Sequence, residues 1–449
     1  MIKPGIPKGT RDFGPVVVRK RNYIFQTIRE TFELFGFQPL ETPAMENLST
    51  LTGKYGEEGD KLMFKVLNNG DIYAGAHEAK DNKELVAAIT EKALRYDLTI
   101  PFARYVVMNQ HELALPFKRY QMQPVWRADK PQKGRYREFY QCDADVVGSN
   151  SLLNEVELLL IYDTVFTKLG LKGYELRINN RKILAGLAEV IGKPELLTDI
   201  TISIDKLDKI GAAGVRKELE ERGLAPDDIN TIERFLAIDG SSTEKLSQLK
   251  ELLQSSATAL KGIEELSFVI NSGYGDFNTT PIIDVTLARG LNYYTGLIVE
   301  VKAPATVKMG SIGGGGRYDD LTGLFGLPGI SGVGISFGVD RIYDVLEELQ
   351  LFPQTAQQST KVLFLNLGED SARKAFGYMM QLRKNGVAAE LFHENAKMDK
   401  QMKYADKRGI PYVIILGESE LQENTLSIKN LVNRQQEKIE AAALLQFTF

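Results

Sequence analysis

The chain has 449 residues, 43% of them hydrophobic and 25% charged, the balance of a soluble globular protein large enough for two to four domains. Its only cysteine, Cys142, excludes a disulfide framework and a thiolate metal site. The histidines His77, His111 and His393 lie far apart, so no metal ligand set is expected. No apolar run approaches the ~20 residues that span a bilayer, and the start lacks a signal-peptide pattern, so no membrane partner and a cytoplasmic location are expected. A net charge of −4 leaves any contact with nucleic acid to local basic surface.

Val16 to Phe35 predicts a helix, with Ile24, Ile28, Phe32 and Phe35 at helical spacing. Gly36 to Pro39 ends it and leads into an extended Leu40 to Pro43. Phe64 to Tyr73 predicts a strand-turn-strand around Asn68-Asn69-Gly70-Asp71. Arg104 to Glu112 predicts a helix. Val125 to Arg127 and Phe139 to Gln141 flank a Pro131 to Gly134 turn, which predicts two antiparallel strands rich in arginine and carboxylate. Leu152 to Leu169 predicts another helix. Residues 181 to 272 are charged and helix-rich, bracketed by strand-like Glu175 to Ile178 and Ile282 to Thr286, which predicts an insertion into a sheet domain. Further strands are expected at Ile298 to Val301, Gly310 to Gly316 and Ser331 to Gly338, then a helix from Val339 to Leu349. After a polar linker, strand and helix alternate from Lys361 to Leu416, which predicts a small α/β domain with a largely parallel sheet.

Nucleotide motifs are missing: there is no Gly-x4-Gly-Lys-Ser/Thr loop, and Gly313 to Gly316 lacks dinucleotide spacing. Four consecutive glycines suit a backbone that a ligand approaches closely, and equally a bulge. Arg127, Arg289 and Arg341 each sit beside sheet-like and turn-forming sequence. Guanidinium groups grip phosphate oxygens with paired hydrogen bonds, although a structural ion pair is the commoner role for a single arginine. Asp97 with Thr99, and Gln141 with Asp143 and Asp145, alternate as one face of a strand does, which suits an ammonium or imidazole ligand as well as solvent. Cys142 would face the opposite side as a small buried residue. On the helix Met398 to Arg408, Lys397, Lys400, Lys403, Lys407 and Arg408 fall on one half. Met398, Met402 and Ala405 fall on the other. A solvated face is the ordinary reading, and an RNA-phosphate stripe the sharper one.

The ordered segments Lys8-Gly9-Thr10-Arg11-Asp12, Arg95-Tyr96-Asp97-Leu98-Thr99, 126 to 148, Leu287 to Gly296, Gly313 to Leu321 and Gly334 to Arg341 resemble the histidyl-tRNA synthetase family, and most closely its eukaryote-like branch. The resemblance covers essentially the whole chain. It implies an α+β fold: a class II aminoacyl-tRNA synthetase antiparallel sheet (1–180 and 273–350), a helical insertion (181–272), a linker (351–360) and a C-terminal α/β anticodon-binding domain (361–449). It implies an ATP-dependent ligase that turns histidine into histidyl-adenylate and transfers it to the 3′ end of tRNA(His). ATP is then a substrate, Mg2+ is expected with it, and a homodimer is expected with the segment Phe37 to Pro43 near its interface.

Carried over residue by residue, the resemblance gives Arg127, Asp129 and Arg341 to ATP. It gives Asp97, Thr99, Gln141, Asp145, Arg289, Tyr293 and Tyr294 to histidine, with Arg289 and Arg127 serving the reaction itself. The chain departs from the family pattern at Asp97, Asp129 and Asp145, where glutamate is expected; charge is kept, but reach is shorter by one methylene. A regulatory subunit of ATP phosphoribosyltransferase shares this catalytic fold and is the rival reading. It is expected to lack the anticodon domain and active-site residues.

Overall fold

The computed structural model describes residues 3–53, 55–77, 79–271, 273–288, 293–356 and 360–449. The chain divides into two compact units, residues 1–14 with 21–351 and residues 15–20 with 352–449.

The first unit is built on an eight-stranded sheet. Its order is Gln38–Pro39, Phe117–Trp126, Glu138–Val147, Gly332–Gly338, Ser311–Tyr318, Leu297–Lys302, Glu175–Asn180 and Ile282–Ile283. The neighbours are antiparallel except the two-residue strand at each edge, which runs parallel to its partner. The expected hairpin is thus long, pairing from Phe117↔Val147 to Trp126↔Glu138. Its turn closes through Gln132 and Arg135, whose backbone groups bond each other at 3.1 and 2.9 Å, with Gly134 at a φ of 72° that favours glycine.

Helices cover one face of this sheet. Pro15–Leu34 starts with proline at its first position, where no N–H is needed, and buries Ile24, Ile28 and Phe32 along one stripe. Phe337, on the sheet, meets the rings of Phe32, Tyr162 and Phe166 at centroid distances of 5.8, 4.7 and 5.6 Å. Tyr162 and Phe166 belong to the helix Leu153–Lys168. Segment 181–271 is helical, with helix Arg181–Val190 packed against Ala257–Asn271. Their approach is close because a Cβ on Gly186 would lie 2.3 Å from the Cβ of Ala259.

Several expectations shift for local physical reasons. Beyond the edge strand, Leu40 N–H still bonds the Tyr120 carbonyl at 2.9 Å, and the Arg95 guanidinium takes the carbonyl oxygens of Thr42 and Pro43 at 2.6 and 3.1 Å in place of a neighbouring strand. Phe64 to Tyr73 forms only one short strand, Lys65–Val66, and its second arm opens the helix Ile72–Ala76. The predicted helix Arg104 to Glu112 instead runs Thr99–Met108. Ile282 to Thr286 stops as a strand after Ile283, because the Asp284 carboxylate accepts from the backbone N–H and hydroxyl of Thr286 at 3.0 and 2.6 Å.

The second unit has a five-stranded sheet ordered Ala389–Leu391, Val362–Phe364, Tyr412–Ile415, Thr425–Asn430, Gln436–Glu440. Only the first three are mutually parallel; the last two run antiparallel, so the largely parallel sheet expected is corrected to a mixed one. The edge strand Gln-Glu-Lys-Ile-Glu carries one apolar residue, which left no hydrophobic alternation to read. Helix Met398–Arg408 keeps its four cations and its N-cap Lys397 exposed. Met398 is also exposed, and Gln401 lies inside instead, its amide bonded to Asn366 and to the Ala396 carbonyl at 2.7 to 2.8 Å.

A buried ion pair ties the glycine-rich strand to the helix layer. Arg317 donates from Nε and Nη2 to the two oxygens of Glu155 at 2.5 and 2.8 Å, and both side chains are almost fully buried. Removing one partner strands the other charge, so Glu155→Ala is expected to destabilise the first unit by about 3–5 kcal/mol. A denaturant melt followed by circular dichroism, with an unchanged midpoint, would contradict this.

Candidate active site

The face of the sheet opposite the helices holds two adjoining hollows. Their floor follows from register. Across the hairpin, Arg119 pairs with Asp145, Gln121 with Asp143, and Gln123 with Gln141. On the next strand Gly334, Ser336 and Gly338 stand opposite Asp145, Asp143 and Gln141, and beyond them Gly316 and Gly314 stand opposite Gly334 and Ser336. Side chains alternate along a strand, so these rows share one face, acidic and amide-bearing on one side and nearly bare on the other.

The glycines are required by closeness. A Cβ on Gly334 would lie 2.0 Å from an Asp145 carboxylate oxygen, and one on Gly316 would lie 2.6 Å from the Leu297 carbonyl. From the helix side, the Tyr162 hydroxyl lies 2.9 and 2.8 Å from the carbonyl oxygens of Gly314 and Ser336 and fixes the spacing of those two strands.

The larger hollow, about 440 Å³, is lined by Arg127, Asp129, Tyr140, Ser311, Asp340 and Arg341, among others. Arg341 donates to the carbonyls of Gly134 and Ser311 at 2.8 and 2.7 Å, so it links the hairpin turn to the glycine-rich strand. Asp129 pairs with Arg135 at 2.9 Å. Asp340 is buried and accepts from Arg21 at 2.5 Å and from Arg11.

The smaller hollow, about 50 Å³, is lined by Asp97, Thr99, Asp143, Asp145, Tyr293 and Tyr318, among others. Arg127, Gln141, Tyr294, Gly314 and Ser336 line both. Arg127 is preset at that seam. Its Nε donates to the Tyr96 carbonyl at 3.0 Å and its Nη2 to the Gln141 amide oxygen at 3.3 Å, while the guanidinium lies 4.4 Å from the Tyr96 ring centroid.

The small hollow is strongly acidic. Asp97 accepts from the Tyr55 hydroxyl at 2.8 Å and the Ile100 N–H at 3.2 Å, with the Tyr293 hydroxyl at 3.5 Å. Asp145 accepts from the Tyr318 hydroxyl at 2.5 Å, and its other oxygen lies 2.8 Å from Arg119 Nη2, an ionic contact without hydrogen-bond alignment. Burial raises the carboxyl pKa of Asp97, and also that of Asp145 against the opposing pull of Arg119. Asp143 is pushed up to about 7, first by burial and further by Asp145, with Arg119 opposing.

Residues 85–342 match the family model for histidyl-tRNA synthetase. The chain belongs to the histidyl-tRNA synthetase family. Residues 361–448 match an anticodon-binding domain. A histidine–tRNA ligase of Christiangramia forsetii is 57% identical over 98% of this chain and 97% of its own length. One of Bacteroides fragilis is 56% identical over 99% and 98%. A crystal structure of histidyl-tRNA synthetase from Nostoc superposes with a TM-score of 0.82 at 32% identity, covering 99% of both chains. The expected class II α+β architecture with its C-terminal domain is therefore the fold of this chain.

Of the residues expected at the site, the structure gathers Arg127, Asp129 and Arg341 on the larger hollow and Asp97, Thr99, Gln141, Asp145, Tyr293 and Tyr294 on the smaller. Arg289 lies outside the described residues. Cys142 is fully buried on the opposite face, and burial pushes its thiol pKa up. Sequence reasoning missed Arg119, Tyr55, Tyr318 and Ser336. Asp143 was legible as part of the alternating face, but nothing in the spacing marked it apart from Asp145.

The pH dependence of stability has a definite sign at Asp143. An unfolded aspartate titrates near ~3.9, so the folded pKa is the higher of the two. The stability this group contributes is complete below the unfolded value and is lost as pH rises through about 7. The melting temperature of the wild type minus that of Asp143→Asn is therefore expected to fall from pH ~5 to ~8. A difference that stays flat or climbs would refute the assignment.

Proposed function

We propose that this chain activates histidine with ATP to histidyl-adenylate and transfers the histidyl group to the 3′ end of tRNA(His). The observation that carries this reading is the pair of hollows joined at Arg127: one is open and bordered by arginines, the other small, buried and acidic. Family membership and the histidine–tRNA ligases at 56 and 57% identity support the same activity.

In this reading ATP occupies the larger hollow and histidine the smaller. A histidine carboxylate oxygen attacks the α-phosphorus, the bond to the bridging oxygen breaks, and pyrophosphate leaves with that electron pair. Arg127 faces the α-phosphate, where charge gathers on non-bridging oxygens, and its fixed contacts mean little reorganisation is needed. Arg341 holds the distal phosphates, and Asp129 belongs to the ATP side. Arg289, placed by the family pattern alone, bridges the α-phosphate and the histidine carboxylate. Asp97, Thr99 and Gln141 receive the α-ammonium, with Tyr293 beside them, while Asp145 and Tyr294 face the ring. The shorter aspartates remain serviceable because Tyr55 and Tyr318 orient Asp97 and Asp145 at 2.8 and 2.5 Å. Mg2+ is expected to come with the phosphates of the ATP substrate.

Residues 1–180 and 273–350 form the catalytic domain in this reading, 181–272 the insertion that helps hold the tRNA acceptor arm, 351–360 the linker and 361–449 the anticodon-binding domain. The exposed cations of Met398–Arg408 supply an RNA contact. A homodimer forms near Phe37 to Pro43; the exposed Leu34 and Met45 bracket that segment and favour a covered surface there. The place of work is the cytoplasm, where the tRNA substrate is used. Among the described residues no helix is long and apolar enough to cross a membrane. The rival regulatory-subunit reading is weakened by the C-terminal domain and by Arg127 and Arg341 on the larger hollow.

Exchange of labelled pyrophosphate into ATP, run with each of the twenty amino acids, is expected to respond to histidine alone. Exchange with none, or with another amino acid, would reject the reading. Arg127→Ala is expected to lower the exchange rate by roughly 10²–10³-fold. Arg289→Ala is expected to abolish exchange while the protein stays folded; an unchanged rate would remove Arg289 from the chemistry.

A further inference from the structure

The segment 7–13 has no part in the reaction as proposed above, yet it lies against the hairpin that walls the larger hollow. The Arg137 N–H donates to the Gly9 carbonyl at 2.9 Å. A Cβ on Gly9 would lie 2.8 Å from the Arg137 side chain and 2.9 Å from the Pro131 ring, and its φ of 88° also favours glycine. Arg137 passes the contact on, because its own carbonyl takes the Arg127 N–H at 3.0 Å.

Two residues after Gly9, Arg11 touches two residues that line the hollow, Tyr136 and Asp340. Its guanidinium lies 3.2 Å from the Tyr136 ring centroid and 4.8 Å from that of Phe13, and its Nη2 pairs with Asp340. Asp340 stands beside Arg341 in the first turn of the helix Val339–Glu348, and Arg341 holds the Gly134 carbonyl of the hairpin turn at 2.8 Å. Neighbouring residues of one helix thus grip the hairpin at two points, one directly and one through Arg11. Burial raises the carboxyl pKa of Asp344, one turn further along that helix, and Arg11 is the first group to oppose the rise.

We propose that Arg11 is a positioning residue for the ATP side of the site, setting Arg341 and the hairpin arm of Tyr136 and Arg137 before the nucleotide arrives. This rests on ATP occupying the larger hollow, as read above. Arg11 acts on the phosphate contacts through Asp340 and Tyr136. A planar guanidinium stacks on a ring with its face while its edge pairs with a carboxylate, a combination that the compact charge of an ammonium group does not reproduce. Asp340 keeps a second partner in Arg21 at 2.5 Å, so loss of Arg11 leaves no bare buried charge and the fold is expected to survive. None of Phe13, Tyr136 and Asp340 lines the smaller hollow, so histidine binding is expected to be spared.

The test uses the full-length protein in histidine-dependent pyrophosphate exchange, with a circular dichroism melt of each variant. Arg11→Ala is expected to raise KM for ATP about tenfold, with KM for histidine within about twofold of the unaltered value. Arg11→Lys keeps the charge without the flat stack and is expected to fall between. A KM for ATP within about twofold of the unaltered value in both variants overturns the role. So does a matching rise in KM for histidine, or a fall in rate at unchanged KM that follows the folded fraction, since general loosening of the fold gives either. Should Arg11→Ala fail to fold, the same split of KM values in Arg11→Lys decides. Absence of histidine-dependent exchange in the unaltered protein overturns the underlying reading, and this role with it.

Discussion

One buried guanidinium organises the small hollow. Arg119 is fully buried, ion-pairs with Asp145 and lies 4.3 Å from the Phe102 ring centroid, and it is the cation that opposes the raised carboxyls of both Asp143 and Asp145. Burying an uncompensated charge is costly, and Arg119, with Arg127 beside Asp97, only partly offsets three clustered carboxylates, so burial raises all three. A hollow lined by these carboxylates favours positively charged and N–H-bearing groups before any shape fitting begins.

The glycine-rich strand matters because of what it lets approach. Asp145 occupies the space a side chain at Gly334 would need, and Tyr294 borders the space above Gly316. From beneath, Tyr162 touches the carbonyls of Gly314 and Ser336 and also packs on Phe337, so one aromatic residue joins the helix layer to the floor of the site. The Arg317–Glu155 pair does the same at the strand's far end. An arginine inside a family-typical segment is here structural, which shows why motif membership alone does not assign chemistry.

Much of this fold was legible where local chemistry and tertiary packing agree. The helices Pro15–Leu34 and Leu153–Lys168 and the hairpin around Gly134 follow from apolar spacing and turn residues. Reading failed where a polar edge strand such as Gln436–Glu440 carries no alternation. The site was half legible. Residues 141, 143 and 145 share a face by the period of two, but their partner Arg119 lies on the other strand, and its meaning depends on a register no local pattern encodes.

The seam between the hollows couples them physically through one amide. Gln141 accepts from Arg127 through its amide oxygen and donates to Ser336 through its amide nitrogen at 3.0 Å, so its orientation is set from both sides. A ligand in the acidic hollow that bonds Gln141 therefore meets a group already tied to the arginine bordering the larger hollow. A displacement of Gln141 by such a ligand would be felt at Arg127 through one shared amide. Reaction geometry tolerates little displacement, since an error of about 1 Å can cost roughly a hundredfold in rate. If the amino acid binds in the acidic hollow and Arg127 meets a phosphate, as proposed, a wrong amino acid that shifts Gln141 is penalised twice, once in binding and again in the alignment of that contact.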